Sequence, residues 1–308
     1  MKDPDVKSDT KIIGDTAVIL VAPRSKSLWQ DAWRRLKKDK LAIAALGVIV
    51  FYSLIALLTQ FGVIATPWDA EVGGAYASPS ADSIKMIFGT DIFGRSVFYK
   101  MLHGTRVAMS VGLVSALISI PVGVALGAVA GYFGGFVDEV IVWFYTTVSS
   151  IPSMILLIAI AFILGKGLFS IYIALGVTSW VGLCRLIRGE FMKHKTREYV
   201  LAAESLGAGH TIRIFRHILP NVMHIVIINL SLQFQTAIKT EVILSFLGLG
   251  VQGQPSWGVM IDDAKLELAR GVWWQLTAAT LAMFFVVLAF NIFGDALRDA
   301  LDPKLKKG

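Results

Sequence analysis

Six long apolar runs alternate with shorter polar segments along the 308-residue chain. Each run reaches the roughly 20 residues that a helix needs to cross about 30 Å of hydrocarbon. We therefore predict an all-α, polytopic membrane protein with six transmembrane helices. The predicted spans are residues 41–62, 106–131, 139–164, 168–187, 222–246 and 273–294.

The polar segments predict the rest of the organisation. Residues 1–26 predict a flexible tail, and residues 27–40 place apolar and basic side chains on opposite faces of a helix. That pattern is typical of an amphipathic helix lying in the membrane interface. Residues 41–308 then form one domain, and its three longest polar connections are residues 63–105, 188–221 and 247–272.

The second span contains a ridge of small residues. Gly123, Gly127 and Gly131 follow Pro121 at intervals of four residues. A ridge with this spacing lets a neighbouring helix approach closely. We interpret it as a packing surface rather than as a hinge.

The distribution of basic residues predicts the orientation. Lys and Arg number 10 in residues 1–40, 7 in residues 185–220 and 4 in the tail from Asp295, against 3 in residues 63–105. Basic segments remain in the cytoplasm. With six spans, both termini and the segment 188–221 are therefore predicted to be cytoplasmic, and the other two connections are predicted to be external.

Composition narrows the function classes. The chain is 55% apolar with a mean hydropathy of +0.67, which favours a membrane protein. Its net charge of +7 comes from residues that flank the spans, so we predict no nucleic-acid binding. The single cysteine, Cys184, excludes a disulfide framework within the chain. The N-terminal segment lacks a signal-peptide pattern, so the first span is expected to direct insertion.

The stretch "YVLAAESLGAGHTIRIFRHILPN" interrupts the apolar pattern between the fourth and fifth spans. Residues 196–206 favour a helix, and Gly207 to Gly209 break it. A second helix is predicted to follow and to stop or kink at Pro220. Its predicted apolar stripe is Ile212, Phe215, Ile218 and Leu219, with Arg213, Arg216 and His217 on other faces. The stretch is interpreted either as a contact surface for a partner or as an amphipathic loop on its own membrane.

Residues in this stretch resemble the cytoplasmic EAA loop of bacterial ABC-importer permeases. The resemblance rests on Ala202, Ala203, Gly207 and the run His217 to Pro220. "FRHILPN" is similar to the dipeptide and oligopeptide branch of that family. Leu201 departs from the pattern, because the family usually has glutamate there, and Glu204 is the nearest acid.

Four further motifs extend the resemblance over most of the chain. "GTDIFGRSVF" resembles the stretch before the second span, although Ser96 replaces the usual aspartate, and Asp91 and Arg95 have the spacing to pair on a helix. "SFLGLGVQGQPSWGVMI" resembles the external re-entrant region within residues 247–272. "AGYFGGFVDE" and "AFNIFGDALRDALDPKLKK" resemble the segments after the second and sixth spans. Together they identify the chain as similar to the C-type permease subunit of a peptide-class ABC importer.

The resemblance implies a type I ABC importer permease fold in the bacterial cytoplasmic membrane. It also implies three kinds of partner: a second homologous permease, two cytoplasmic ATPase subunits and an external substrate-binding protein. The chain has no Walker A pattern, so it is expected not to be an enzyme and to hold no cofactor of its own, with ATP and Mg²⁺ on the ATPases. The residues expected to couple to an ATPase are Ala202, Ala203, Glu204, Gly207, Arg213, Phe215 and Pro220.

Other polar side chains are candidates for the translocation pathway or its gate. Lys239 and Glu241 fall near the outer end of the fifth span, where they either face a cavity or reach the outer interface. At least one of Gln233 and Gln235 is expected to face the bundle interior, and Trp257 is expected to be exposed to cargo or to the binding protein. No metal site is predicted, because no acid or cysteine is spaced with the histidines.

Two other function classes would require different features in the sequence. A stand-alone secondary transporter or channel would use acidic residues at the membrane midplane and paired repeats. A membrane-bound enzyme would show a catalytic constellation. Neither feature is evident in the sequence. The cargo stays open among dipeptides, oligopeptides, nickel and other small solutes.

Overall fold

The computed structural model describes residues 28–301, with side chains described from residue 33 onward. The predicted tail 1–26 and the last seven residues lie outside that range. The described part is helical throughout, apart from its connections. Its α-helices are α1 (Leu28–Lys38), α2 (Lys40–Gln60), α3 (Val97–Phe133), α4 (Gly135–Ser150), α5 (Ser153–Leu164), α6 (Leu168–Thr178), α7 (Trp180–His194), α8 (Glu198–Ser205), α9 (His210–Ile212), α10 (Leu219–Phe246), α11 (Trp257–Leu268) and α12 (Trp274–Leu301).

Five continuous helical stretches are long and apolar enough to cross a membrane. They are Lys40–Gln60, Val97–Phe133, Leu168–His194, His210–Phe246 and Trp274–Leu301. Most of them extend beyond the predicted spans into polar sequence. The predicted loop 63–105, for example, overran the true start of α3 at Val97. Apolar periodicity marks only the lipid-crossing part of a helix, so it underestimates a helix that continues into a polar region.

The predicted third span, 139–164, is not one straight helix. It consists of α4 and α5, which meet at an angle of 86° around Pro152. The pair nevertheless connects opposite ends of the bundle. Asp138 at the start of α4 bonds Arg188 near the end of α7, whereas Leu157 in α5 packs in one cluster with Leu244 near the end of α10.

The bundle therefore has two ends, which we name by the segments they carry. The loop end carries residues 195–218 and the C-terminal ends of α3 and α7. The cap end carries residues 61–96 and α11. Since α4 starts at the loop end and α5 finishes at the cap end, the bent pair makes a sixth crossing of the bundle.

The glycine ridge of α3 is a packing surface, as predicted. A Cβ atom at Gly123, Gly127 or Gly131 would lie 2.8, 2.6 or 2.4 Å from a carbonyl oxygen of α7. Real side chains do not approach a backbone so closely, so these positions require glycine. α3 and α7 consequently lie in direct backbone contact along the half of α3 that is nearer the loop end.

Asp91 organises the turn that precedes α3. Its Oδ1 accepts the N–H groups of Phe93 and Arg95, each at 2.9 Å, and its Oδ2 is bonded by Arg95 Nε at 2.8 Å and by Lys100 Nζ at 3.0 Å. Asp91 and Arg95 thus pair as predicted, but in a turn rather than on a helix. Burial raises the pKa of Asp91, but the charge of Lys100 and the hydrogen bonds from Arg95 outweigh burial, so the pKa lies below its usual range.

Ser96 has its own role at the start of α3. Its Oγ accepts the N–H of Tyr99 at 3.2 Å, which caps the helix. The same hydroxyl donates to the carbonyl of Lys85 at 2.6 Å. An aspartate would keep the cap but lose this second bond, because an ionised carboxylate has no proton to donate.

Lys100 joins four elements inside the cap end. It is 2% exposed, and it bonds Gln275 of α12 at 2.8 Å and lies 3.7 Å from Asp263 of α11. With Asp91 it links the 61–96 segment to α3, α11 and α12. Glu267 of α11 is buried nearby, and no described residue bonds its Oε2.

Candidate functional site

The first helix of the loop end stops at a glycine. α8 runs from Glu198 to Ser205, and Gly207 has φ +83°. The N–H groups of Gly207 and Ala208 bond the carbonyls of Glu204 and Ala203 at 2.8 and 2.9 Å. This is a Schellman ending, which requires the left-handed conformation that glycine adopts readily. The predicted break at Gly207 is therefore present.

The second helix of the loop end is continuous with the fifth span. α9, a π-helical segment Arg213–Ile218 and α10 form one helix, His210–Phe246, of 37 residues. A stop at Pro220 was therefore wrong, because the helix continues through this residue. Widening of the helix to π geometry just before Pro220 accommodates a residue that cannot donate a backbone hydrogen bond and whose ring crowds the preceding turn.

The π-helical segment also changes which side chains face inward. Arg213, Ile218 and Val222 are all buried, at intervals of five and then four residues. The predicted stripe was therefore partly wrong, because Ile212 and Phe215 point outward. An α-helical period places the wrong residues on one face wherever the helix is π-helical.

Four large apolar side chains between residues 201 and 215 are exposed, and we call them the docking set. Leu201, Leu206, Ile212 and Phe215 are between 47% and 89% exposed. Beneath them, the loop packs onto the bundle itself, because Val200 joins the core cluster of α3, α7 and α10. Large exposed apolar side chains on an otherwise polar segment are typical of an interaction site.

The small residues of this region have different surroundings. Ala202 is exposed, whereas Ala203 is 8% exposed and buried within the chain. The two alanines are therefore not equivalent in how closely they let another surface approach. Pro220 is exposed at the start of α10.

Arg213 is buried rather than presented to a partner. Its guanidinium pairs with the Glu204 carboxylate, bonds Nδ1 of His210 at 3.0 Å and lies 5.8 Å from the ring centroid of Tyr132. Tyr132, in the last turn of α3, bonds the same His210 nitrogen at 2.9 Å. We call these four residues the Arg213 cluster.

Two further polar contacts join helices at the loop end. Arg188 of α7 binds Asp138 of α4 with two bonds, at 2.5 and 2.6 Å. Lys195 donates to the carbonyl of Tyr132 at 3.4 Å. The end of α7 is thereby tied to both α3 and α4.

The candidate pathway glutamines lie inside the bundle. Gln233 bonds the carbonyl of Ser179 at 3.0 Å and the hydroxyl of Ser119 at 2.8 Å, so it bridges α10 to α3 and to the α6–α7 junction. Gln235 is 6% exposed. The expectation that at least one of them faces the interior is confirmed.

The other pathway candidates are divided between the interior and the surface. Glu241 is fully buried, and its Oε1 accepts the hydroxyl of Ser245 at 2.7 Å. Lys239, two residues earlier, is exposed on the opposite face of the helix. Trp257 was expected to be exposed, but it is fully buried and its ring N–H donates to the carbonyl of Met101 at 3.0 Å. Its flanking sequence lies between polar segments, which gave no sign of this burial.

Sequence reasoning missed three residues of the loop end. Tyr132 follows an apolar span and carried no motif, although a tyrosine at a helix end is a common hydrogen-bonding position. His210 was considered only as a metal ligand. Leu206 was treated as a helix former, although it is the most exposed member of the docking set at 89%.

Comparisons with known proteins identify the family. Residues 123–307 match the family described as binding-protein-dependent transport system inner membrane component, and residues 27–77 match the N-terminal transmembrane domain of oligopeptide transport permease C. The chain is similar to three curated relatives. These are a dipeptide transport permease of Bacillus subtilis (41% identity, 92% of this chain and 88% of the relative), an oligopeptide transport permease of the same organism (36%, 93% and 93%) and a glutathione transport permease of Pectobacterium atrosepticum (35%, 92% and 94%).

Such permeases are the membrane-spanning subunits of ABC transporters and are not enzymes themselves. The helical bundle is consistent with this family, and the family match and the extended agreement with these relatives point to one conclusion. The chain belongs to the family of binding-protein-dependent transport system inner membrane components, as a multi-pass permease subunit that contributes to the translocation pathway of an ABC importer with other subunits.

Proposed function

We propose that this permease forms half of the pathway of an ATP-driven importer for dipeptides and oligopeptides in the bacterial cytoplasmic membrane. A second homologous permease forms the other half, and an external binding protein delivers the cargo. Two cytoplasmic ATPase subunits hold ATP and Mg²⁺. Both termini and the loop end are cytoplasmic, in keeping with the excess of Lys and Arg there.

The names of the relatives support peptide cargo. They are permeases for dipeptides, oligopeptides and glutathione, which all contain peptide bonds. A stand-alone secondary transporter or channel is not favoured, because the family that this chain matches is one of binding-protein-dependent transport systems.

The docking set is the observation that carries the ATPase assignment. Its apolar side chains face away from the bundle, while the loop packs against α3, α7 and α10. An apolar surface held on a rigid support suits a protein partner better than it suits water. Leu201 then has a simple role, since an apolar contact replaces the charge that is usual at this position.

The continuous helix His210–Phe246 suits the transmission of force. An ATPase that displaces Phe215 moves the start of the fifth span directly, because no flexible joint lies between them. At about 1.5 Å per residue, the helix extends from the docking set to the cap end. Glu241 and Ser245 lie at that far end, next to the segment that leads to α11.

The proposal is tested by purifying the permease with its partner subunits. We expect the double variant Leu206→Ser, Phe215→Ser to lose the ATPase subunits and ATP-dependent uptake of a labelled dipeptide. Phe136→Ser is the matched control, since Phe136 is 79% exposed near the loop end but lies outside the docking set. Full ATPase recovery with the double variant would refute the docking assignment, and uptake by the permease without any ATPase would refute the proposed function.

A further inference from the structure

The Arg213 cluster has a geometry that docking alone does not require. Arg213 lies on the second helix of the loop, Glu204 at the end of the first, and Tyr132 at the end of α3. The side chain of Arg213 is only 11% exposed. It therefore joins three separate elements from a buried position.

The contacts of Arg213 matter because its side chain is buried. An exposed ion pair contributes little, and the Glu204 side chain is 53% exposed. The Arg213 guanidinium, by contrast, is buried, and within the described residues its Nε has no hydrogen-bond partner. A buried cation held in this way depends on the partners that it does have.

Hydrogen-bond chemistry fixes the direction of the contacts. A guanidinium only donates, so Nδ1 of His210 is the acceptor of the bond from Arg213. The Tyr132 hydroxyl donates to the same nitrogen, so the two donors share its single lone pair. His210 is thus held from two sides, by its own helix through Arg213 and by α3 through Tyr132.

We propose that Arg213 is a positioning residue for coupled transport, which makes the two loop helices and the cytoplasmic end of α3 move as one body. The inference rests on the proposed function and specifies which helices the motion of the ATPase displaces. Displacement of the docking set then moves α10 directly and α3 through the Arg213 cluster. Without the cluster, the loop would move α10 while α3 lagged behind.

The consequence for the pathway follows from where α3 and α10 meet. A cleft of about 570 Å³ lies between α2, α3, α10 and α12. Arg106, Met109 and Leu113 of α3 line it together with Leu230 and Phe234 of α10. The spacing between its α3 and α10 walls is kept when the two helices move together, and it changes when only one of them moves.

The test measures dipeptide uptake per ATP hydrolysed by the complete complex in proteoliposomes. We expect Arg213→Gln to bind the ATPases and hydrolyse ATP, but to lower uptake per ATP at least about fivefold, the low end of typical coupling between sites. Arg213→Lys, which keeps the charge, recovers part of the ratio. Tyr132→Phe, which removes one hydroxyl, lowers the ratio in the same direction.

Arg216→Gln is the matched control, because Arg216 is exposed in the same π-helical segment. A variant that only reduces the yield of folded complex does not change the ratio, so the ratio separates positioning from folding. If Arg213→Gln does not assemble, Tyr132→Phe decides the question. A wild-type ratio in both Arg213→Gln and Tyr132→Phe, or an equal loss in Arg216→Gln, overturns the inference while leaving the ATPase assignment intact. If the wild-type permease purified without any ATPase subunit, both the inference and the ATPase assignment would be overturned.

Discussion

Single residues set the closest approaches in this protein. Gly94 has φ +70°, and a Cβ atom there would lie 2.2 Å from the carbonyl oxygen of Gly73. Gly89, with φ +62°, would bring one to 2.5 Å from the carbonyl of Ala77. The motif "GTDIFGRSVF" is therefore a structural motif, whose glycines and Asp91 fold the cap end over the start of α3.

One buried acid at the cap end makes stability depend on pH. Burial is the main reason why the pKa of Glu267 is raised to about 7; Lys100 lowers it, whereas Asp263 and Asp91 raise it. The folded protein therefore retains a proton that the unfolded chain releases. The free energy of unfolding is expected to fall as pH rises from about 4.5 towards about 7, and to level off above that.

Glu267→Gln tests this expectation, because a glutamine stays neutral at every pH. We expect the variant to lose the part of the pH-dependent fall in melting temperature that lies between pH 5 and pH 8, measured in detergent. Asp262→Asn is the control, since it changes a half-buried acid on the same helix. A pH profile identical to that of the wild type would show that Glu267 does not titrate in this window.

At the scale of helices, α3 and α7 pack through direct backbone contact. Gly123, Gly127 and Gly131 allow the contact, and Arg188 and Lys195 close it at the loop end. Since α7 leads directly into the loop, its attachment to α3 reinforces the Arg213 cluster.

Gly127→Ala should separate these two helices. Its new Cβ would lie 2.6 Å from the Cys184 carbonyl and 2.9 Å from the Cβ of Ile187, so one helix must shift. We expect a loss of about 1–3 kcal/mol in the free energy of unfolding, as is typical of overpacking.

The same substitution at Gly47 is the control for helix propensity. A Cβ at Gly47 in α2 would meet nothing within 4 Å. Gly47→Ala is therefore expected to leave stability unchanged or to raise it, because alanine favours helix. Equal melting temperatures for the two variants in detergent would contradict the close-contact interpretation.

Apolar periodicity predicted the existence of the spans but not their shape. It located α2 within a residue or two, because that helix is apolar along its whole length. It missed the bend at Pro152, since the apolar pattern continues on both sides of this residue. It also missed the π-helical segment, which no residue type marks.

At the loop end, too, some features could be predicted from the sequence and others could not. Gly207 could be predicted because a Schellman ending has a sequence signature. Burial of Arg213 could not, since it depends on Tyr132, which is distant in sequence and has no periodic relation to the loop. Contacts between distant segments require the fold before they can be inferred.

At the scale of the whole molecule, the bent pair α4–α5 decides how many times the chain crosses the bundle. If the pair returned to the end where it started, the chain would cross five times and its termini would lie on opposite sides. The contacts of Asp138 with Arg188 and of Leu157 with Leu244 instead place its two ends at opposite ends of the bundle. Six crossings put both ends of the described chain at the same end of the bundle, and the proposed orientation then places residues 61–96 outside and residues 195–218 in the cytoplasm.

Cysteine labelling of intact cells tests this topology. In a Cys184→Ser background, Ala81→Cys and Thr196→Cys each add one thiol at an exposed position, at the cap end and at the loop end respectively. A membrane-impermeant maleimide is expected to label residue 81 in intact spheroplasts, and residue 196 only in inverted vesicles. The Cys184→Ser background alone should remain unlabelled in both preparations.

Because the structure ties Tyr132 at the end of α3 to His210 in the loop, residues 196 and 132 must share a side. Labelling of residue 196 from outside would therefore show that the whole bundle has the opposite orientation, in which the docking set cannot contact the ATPases.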